Sequence, residues 1–138
     1  MKANLPMVNG KYNKYRNTKF VAVDGEVFDS RKEANRWEEL LLLGRSGEIK
    51  DLKRQVEFEL ISAQVETYER YSKDGKRIKD GTRVLERSCV YVADFTYVNV
   101  KTGERVVEDA KSVATRTKDY IIKRKLMLWR LGIRIHEV

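Results

Sequence analysis

Cysteine, histidine and long apolar runs are almost absent from these 138 residues, and each shortage removes a class of chemistry. The one cysteine, Cys89, excludes an internal disulfide and a cysteine-rich zinc site, and nothing beside it suggests a low-pKa nucleophile. It reads as a small buried hydrophobe. The one histidine, His136, sits on an expected last strand, which argues against imidazole catalysis. No stretch approaches the length of a membrane span and the N-terminus lacks an apolar signal core, so a soluble, cytoplasmic protein is expected. Acids are missing from residues 1–23, which carry Lys2, Lys11, Lys14, Arg16 and Lys19.

What is present is one domain's worth of apolar residues and an uneven charge. A hydrophobic content of 41% fills a single core at this length. The net charge of +8 is concentrated at the two ends: residues 1–23 carry +5 and residues 111–134 carry +7, against −3 for residues 24–110. Such concentration fits a polyanion binder, because each phosphate neutralised releases condensed counterions. A solvated charged helix face is the plainer alternative. The N-terminal arm, residues 1–19, interleaves cations with Tyr12 and Tyr15, a pattern suited to stacking on unpaired bases or to lying along a backbone. It equally fits an arm pinned to the core.

After the arm, residues 20–138 read as one α/β domain. A short hairpin is predicted over Val21 to Phe28 around Asp24-Gly25. Ser30-Arg31-Lys32-Glu33 fits a capping box opening a helix to about Leu43, with Gly44 as its stop. Glu33, Trp37, Leu40, Leu41 and Gly44 share one stripe of that helix. Val56 to Tyr71 reads as a long strand, residues 73–81 as a basic, glycine-punctuated tip carrying Lys76 and Arg77, and Val84 to Tyr97 as the returning strand. That tip either reaches nucleic acid or is a loop. Thr117 caps a second helix, Lys118 to Leu131, stopped by Gly132. Its apolar surface is expected from Tyr120, Ile121, Leu128 and Leu131 flanked by Met127 and Trp129, more than one stripe needs, which suggests a homodimer. Ile133 to Val138 should be a final strand.

The chemistry concentrates on two strands. Cys89 to Asn99 is rich in β-branched and aromatic residues, Arg105 to Lys111 is a second short strand, and Lys101-Thr102-Gly103-Glu104 is a tight antiparallel connection. Asp94 lies opposite Asp109 in one register and opposite Lys111 in the other. Either keeps all three on one face, since side chains alternate with period two. Two converging carboxylates repel unless a cation lies between them, and an oxygen-only ligand set suits Mg²⁺ or Mn²⁺. Lys111 is placed to orient water or to neutralise charge on a phosphoryl group. The bland alternative is a cross-strand salt bridge between Asp94 and Lys111. Glu33 either reaches this site or caps its own helix. Gln55 either points toward it or is a polar residue on a half-exposed strand. Glu108 alternates to the opposite face and is taken as surface. Ser112, Arg116, Lys118, Lys123 and Arg124 follow Lys111 and are candidates for holding neighbouring phosphates.

The order of an acid on a first helix, a lone Asp on a strand, Asp-x-Lys on the next strand and then a basic helix resembles the PD-(D/E)XK nuclease superfamily. Val23 to Ala34, Gly47 to Leu52, Ala93-Asp94-Phe95 and Val107 to Lys111 look like its small phage and prophage proteins, some described as Holliday-junction resolvases or endonucleases. The likeness runs from about Lys11 to Val138. It implies a restriction-endonuclease-like core, a central mixed sheet flanked by helices, with the hairpin as an insertion. It also implies Mg²⁺ held by Asp94 and Asp109 with help from Glu33 and the Ala110 carbonyl, and Lys111 as the catalytic lysine. Ala93 stands where the superfamily name has proline. The expectation is therefore a Mg²⁺-dependent DNA endonuclease of a bacterial host, phage or prophage, acting on branched or junction DNA. The alternatives are a restriction-like or nicking endonuclease on duplex or single strands, and a nucleic-acid-binding accessory protein whose acids only buttress a salt bridge.

Overall fold

The structure, a computed structural model, describes residues 18–138, so most of the basic arm, with Lys14 and Arg16, lies outside the described residues. The expected hairpin forms from β1 (Phe20–Val21) and β2 (Val27–Phe28), antiparallel, with Gly25 at a φ of +90° in the turn. Its Asp24 accepts the Trp37 indole N–H at 2.8 Å, which ties the hairpin to the first helix.

Helix α1 (Arg31–Arg45) starts where Ser30 predicts, because the Ser30 hydroxyl accepts the Glu33 N–H at 3.1 Å. It does not stop at Gly44. The helix runs through that glycine, at a propensity cost of about 1 kcal/mol, and ends at Ser46, with Gly47 supplying the left-handed exit at φ +79°. Of the expected stripe, Trp37 and Leu40 are buried and Leu41 half-buried, while Gly44 is exposed.

Strand β3 (Ile49–Ile61) leads into β4 (Gln64–Tyr71), which pairs with β5 (Arg77–Glu86) as a separate ribbon, and the chain returns through β6 (Cys89–Asn99). The two long strands expected from sequence are thus each interrupted, at Ser62-Ala63 and at Arg87-Ser88. Both breaks lie at one level, between the Ile61–Cys89 and Gln64–Glu86 pairs, so the ribbon leaves the main sheet there. Strand β7 (Arg105–Asp109) follows, then α2 (Lys118–Leu131) and β8 (His136–Glu137). The main sheet has order β3-β6-β7-β8, antiparallel except for the parallel β7–β8 pair, so the domain is α/β with a mixed sheet. Helix α2 matches its predicted bounds, capped by Thr117 and stopped by Gly132 at φ +66°.

Each helix covers its own cluster. Trp37 and Leu40 of α1 pack with Phe28, Ile49, Phe95 and Tyr97, where the Trp37 and Phe95 rings stack at 5.9 Å. Tyr120 and Met127 of α2 pack with Phe58, Leu60, Tyr91, Val107 and Ile135. Burial of each large side chain stabilises by about 1.5–3 kcal/mol. Met127 is fully buried at the centre of its cluster, whereas Leu128, Leu131 and Trp129 are exposed, Trp129 at 81%. The α2 expectation is corrected in part: Tyr120, Ile121, Leu126 and Met127 pack on the sheet cluster, whereas Ile122, Leu128, Trp129 and Leu131 are exposed.

The sheet changes faces between these clusters. In β6, Ala93 belongs to the α2 cluster and Phe95, two residues on, to the α1 cluster. In β3, Val56 packs with the α2 cluster while the Arg54 guanidinium lies 4.0 Å from the Phe28 ring centroid, on the α1 side. Between them stand Asp94 and Gln55, bracketed by the Arg54–Phe95 and Val56–Ala93 pairs, and Gln55 has a φ of +52°. A left-handed residue turns a strand over, so strict alternation fails at this level.

Candidate active site

The β6–β7 hairpin adopts the first of the two expected registers. Phe95 pairs with Glu108 and Tyr97 with Val106, which sets Asp94 across from Asp109. The Asp94 carboxylate accepts the Ala110 N–H at 2.8 Å, just past the end of β7. Asp109 is 2% exposed. Its Oδ2 accepts the Tyr91 hydroxyl. Its Oδ1 lies 3.1 Å from the Lys111 ammonium, outside hydrogen-bonding geometry, and has no hydrogen-bond partner. The Lys111 Nζ also lies 4.8 Å from the Tyr120 ring centroid. Its backbone carbonyl accepts Lys32 Nζ at 2.8 Å, which fastens the start of α1 to the segment after β7.

Glu33 comes to the same place by a different route. Ser30 caps the helix, but among the described residues the reciprocal bond from the Glu33 carboxylate is not formed. Burial raises its pKa, the Asp29 charge raises it further, the Ser30 hydroxyl pulls it down, and smaller effects follow upward from Asp109 and downward from Lys111. The pattern is that of an acid standing beside the strand acids. Among the described residues no three His, Cys, Asp or Glu side chains come close enough to enclose a metal. The convergent pair is Asp94 and Asp109, with Glu33 near them.

Electrostatics single out that pair. The Asp94 carboxyl is pushed up to about 7, first by burial and then by the Asp109 charge, with the Ala110 N–H opposing. Burial and its bond to Asp109 hold the Tyr91 hydroxyl well above the usual phenol range. Asp109 Oδ1, buried and without a hydrogen bond, has the Lys111 ammonium at 3.1 Å. Two acids in this state fit a divalent cation, which would relieve their repulsion and occupy the free oxygen.

Glu108 overturns its expected surface role. It is 2% exposed, accepts Arg36 at both oxygens and takes the Tyr97 hydroxyl at 2.6 Å. Alternation does carry it to the opposite face, as expected, but that face is covered by α1 rather than by water. Gln55 is exposed and sits at the face change beside Asp94, in its strained conformation.

The candidate phosphate contacts separate into groups. Ser112 is exposed and caps the short 3₁₀ turn Val113–Thr115, and Lys118 is exposed at the start of α2. Arg116 and Arg124 both donate to Glu137, which pulls them toward β8, and Lys123 is half-buried. Lys76 is exposed, whereas Arg77 is shared between Glu69 and Asp80.

Sequence reasoning missed Tyr91 and Tyr120. Tyr91 differs in parity from Asp94 and Asp109, so period two sends it to the wrong face; the reversal at Gln55 and Asp94 brings it back. Tyr120 reads in sequence only as core. A cavity of about 830 Å³ lies elsewhere, against Val106, Lys125, Leu128, Ile135 and Val138. Its two carboxylates, Glu108 and Glu137, are already held by arginines, so the chemistry is assigned to the acid pair instead. No helix among the described residues is long and apolar enough to cross a membrane. Neither a curated protein nor a solved structure matches the chain. The family match covers residues 12–134, nearly the whole chain and every residue of the acid site, and by it the protein belongs to DUF1064, a family described as of unknown function.

Proposed function

We propose that the protein is a Mg²⁺-dependent DNA endonuclease that hydrolyses phosphodiester bonds at the Asp94–Asp109 pair. The observation that carries this reading is Asp109 Oδ1, a buried carboxylate oxygen without a hydrogen bond, facing a second carboxylate whose proton affinity is raised by its presence. Asp94 and Asp109 would hold the ion, with the Ala110 carbonyl and Glu33 as further oxygen donors. Mg²⁺ commonly takes one or two carboxylates and completes its shell with water and phosphate oxygens, so the lack of a third close acid is compatible with it. When bound, the ion polarises a phosphoryl group and makes a bound water more acidic.

The chain's own residues supply the rest. Lys111 stands beside Asp109, where its ammonium can meet negative charge developing on the phosphoryl oxygens. Tyr91 holds one Asp109 oxygen and leaves the other free, and Ala110 N–H orients Asp94. Ser112, which follows Lys111, and Lys118 at the start of α2 are both exposed and would receive neighbouring phosphates. The resemblance to the PD-(D/E)XK superfamily favours branched or junction DNA. A second reading, an accessory protein that binds nucleic acid without cutting it, is favoured by the Lys111–Asp109 contact at 3.1 Å, which already neutralises one acid.

The test is Mg²⁺-dependent cleavage of a four-way junction, a duplex and a single strand by wild type and Asp109→Asn. Cutting by wild type that falls at least about a hundredfold in the variant, with binding retained, supports the nuclease. A wild type that binds but cuts none of the three would leave the accessory role.

A further inference from the structure

Strands β6 and β7 run antiparallel, so the C-terminal end of β7, where Asp109 lies, points the same way as the N-terminal end of β6. That is the end from which the β4–β5 ribbon departs, beyond the Ile61–Cys89 pair. From Asp94 to Cys89 is about 17 Å of strand, and β4 adds about 26 Å, at roughly 3.3 Å per residue.

The ribbon is built to keep its shape. Two-stranded hairpins alone are marginal in water. Here Tyr68 lies across Gly81, where a Cβ would fall 2.4 Å from the ring, and Arg83 sits over that ring at 5.3 Å while pairing with Glu66. At the tip, Ser72 N–H donates to the Lys76 carbonyl at 2.8 Å, and Gly75 makes the turn at φ +77°.

Its charge is sorted. Of the ribbon's carboxylates, Glu66, Glu69 and Asp80 are taken up by Arg83 and Arg77, while Glu86 lies at the base of the ribbon, away from the tip. Arg70, Lys73, Lys76 and Lys79 are exposed and form no ion pair among the described residues, and Asp74 is the only acid between Tyr71 and Lys79. The tip of a second copy would present the same sign of charge to this tip and be repelled. A phosphate backbone would be attracted, and the DNA major groove admits a two-stranded ribbon.

We propose that the β4–β5 ribbon is an arm that grips the double-stranded flank of the substrate nucleic acid, on the side of the sheet end that carries the acids. The identity of the polyanion rests on the nuclease reading; the arm itself rests on the ribbon's geometry and charge. The test uses the full chain and a duplex of about 30 base pairs in EDTA, titrated at several salt concentrations. Lys73→Gln, Lys76→Gln and Lys79→Gln combined should weaken binding at least about tenfold and make the slope of log affinity against log salt shallower by roughly two to three. The corresponding Lys→Arg triple should restore both. Affinity within about twofold of wild type, with an unchanged slope, overturns the arm. The two readings fail separately. A nuclease whose cutting vanishes in Asp109→Asn but whose salt slope ignores the lysines keeps its active site and loses its arm. A protein that cuts nothing yet loses affinity with the lysines keeps the arm and loses the nuclease.

Discussion

Arg36 and Glu108 form a two-point ion pair across the contact between α1 and β7, with Nε at 2.9 Å from one carboxylate oxygen and Nη2 at 2.6 Å from the other. Arg36 stands one helical turn after Glu33, and Glu108 immediately precedes Asp109. The pair therefore fixes the distance between the helix acid and the strand acids. Tyr97 closes the remaining side of Glu108, so the strand end is held from below by the helix it faces.

Removing one partner of this pair strands the other. Glu108→Ala should destabilise the fold by about 3 kcal/mol, the lower end for a broken buried pair because Arg36 keeps some solvent contact. Arg36→Met combined with Glu108→Met should cost much less than the two single changes added together. Urea unfolding of the wild type, Glu108→Ala, the two single Met variants and the double variant reads this directly. A Glu108→Ala loss below about 1 kcal/mol would show that the ion pair is not what positions α1.

The raised Asp94 carboxyl makes stability depend on pH with a definite sign. Its value is about 7 folded against 3.8 ordinarily, so the folded protein holds a proton that the unfolded chain has lost between those limits. The contribution is complete below the lower value and disappears as pH rises through the upper one. Metal-free melting temperature should fall between about pH 4 and about pH 7, and Mg²⁺ should restore more of it at the higher pH. Asp94→Asn should flatten both trends. A wild-type profile already as flat as that of the variant would contradict the shared-charge description.

Tyr91 donates its hydroxyl to the Asp109 carboxylate. Tyr91→Phe removes a buried donor and should cost about 1–3 kcal/mol of stability. Divalent affinity, read by calorimetry with Mn²⁺, should weaken about 10- to 100-fold, the usual effect of losing a group that orients a ligand. Unchanged Mn²⁺ affinity would reduce Tyr91 to core packing.

Gln55 holds a conformation that costs an L-residue about 1–2 kcal/mol and costs glycine nothing sterically. After glycine's own entropy is subtracted, Gln55→Gly should raise stability by up to about 1 kcal/mol. The same change should slow cutting about tenfold, because strain kept beside a site commonly serves it. Cleavage at the wild-type rate would assign Gln55 to strand geometry alone.

The helices were largely legible because their signals are local. Ser30, Thr117 and Gly132 act on N–H and C=O groups within a few residues, and each caps or stops its helix where its position predicts. Gly44 misled because a glycine permits a helix end without requiring one; Gly47, in the left-handed region, provides it. The Asp94–Asp109 opposition was legible as one of two registers, since a short hairpin constrains which residues can face each other.

What the chain alone determined was an α/β domain with alternating strands, two capped helices and charge gathered at its ends, because periodicity and capping involve only near neighbours. Which face each strand buries was decided in three dimensions. The reversal at Gln55 and Asp94 brings Tyr91 to Asp109, and helix α1 covers the face on which Glu108 would otherwise meet water. Such outcomes depend on what packs from distant positions, and burial, which sets both the cost of a carboxylate and its proton affinity, exists only once those parts have met.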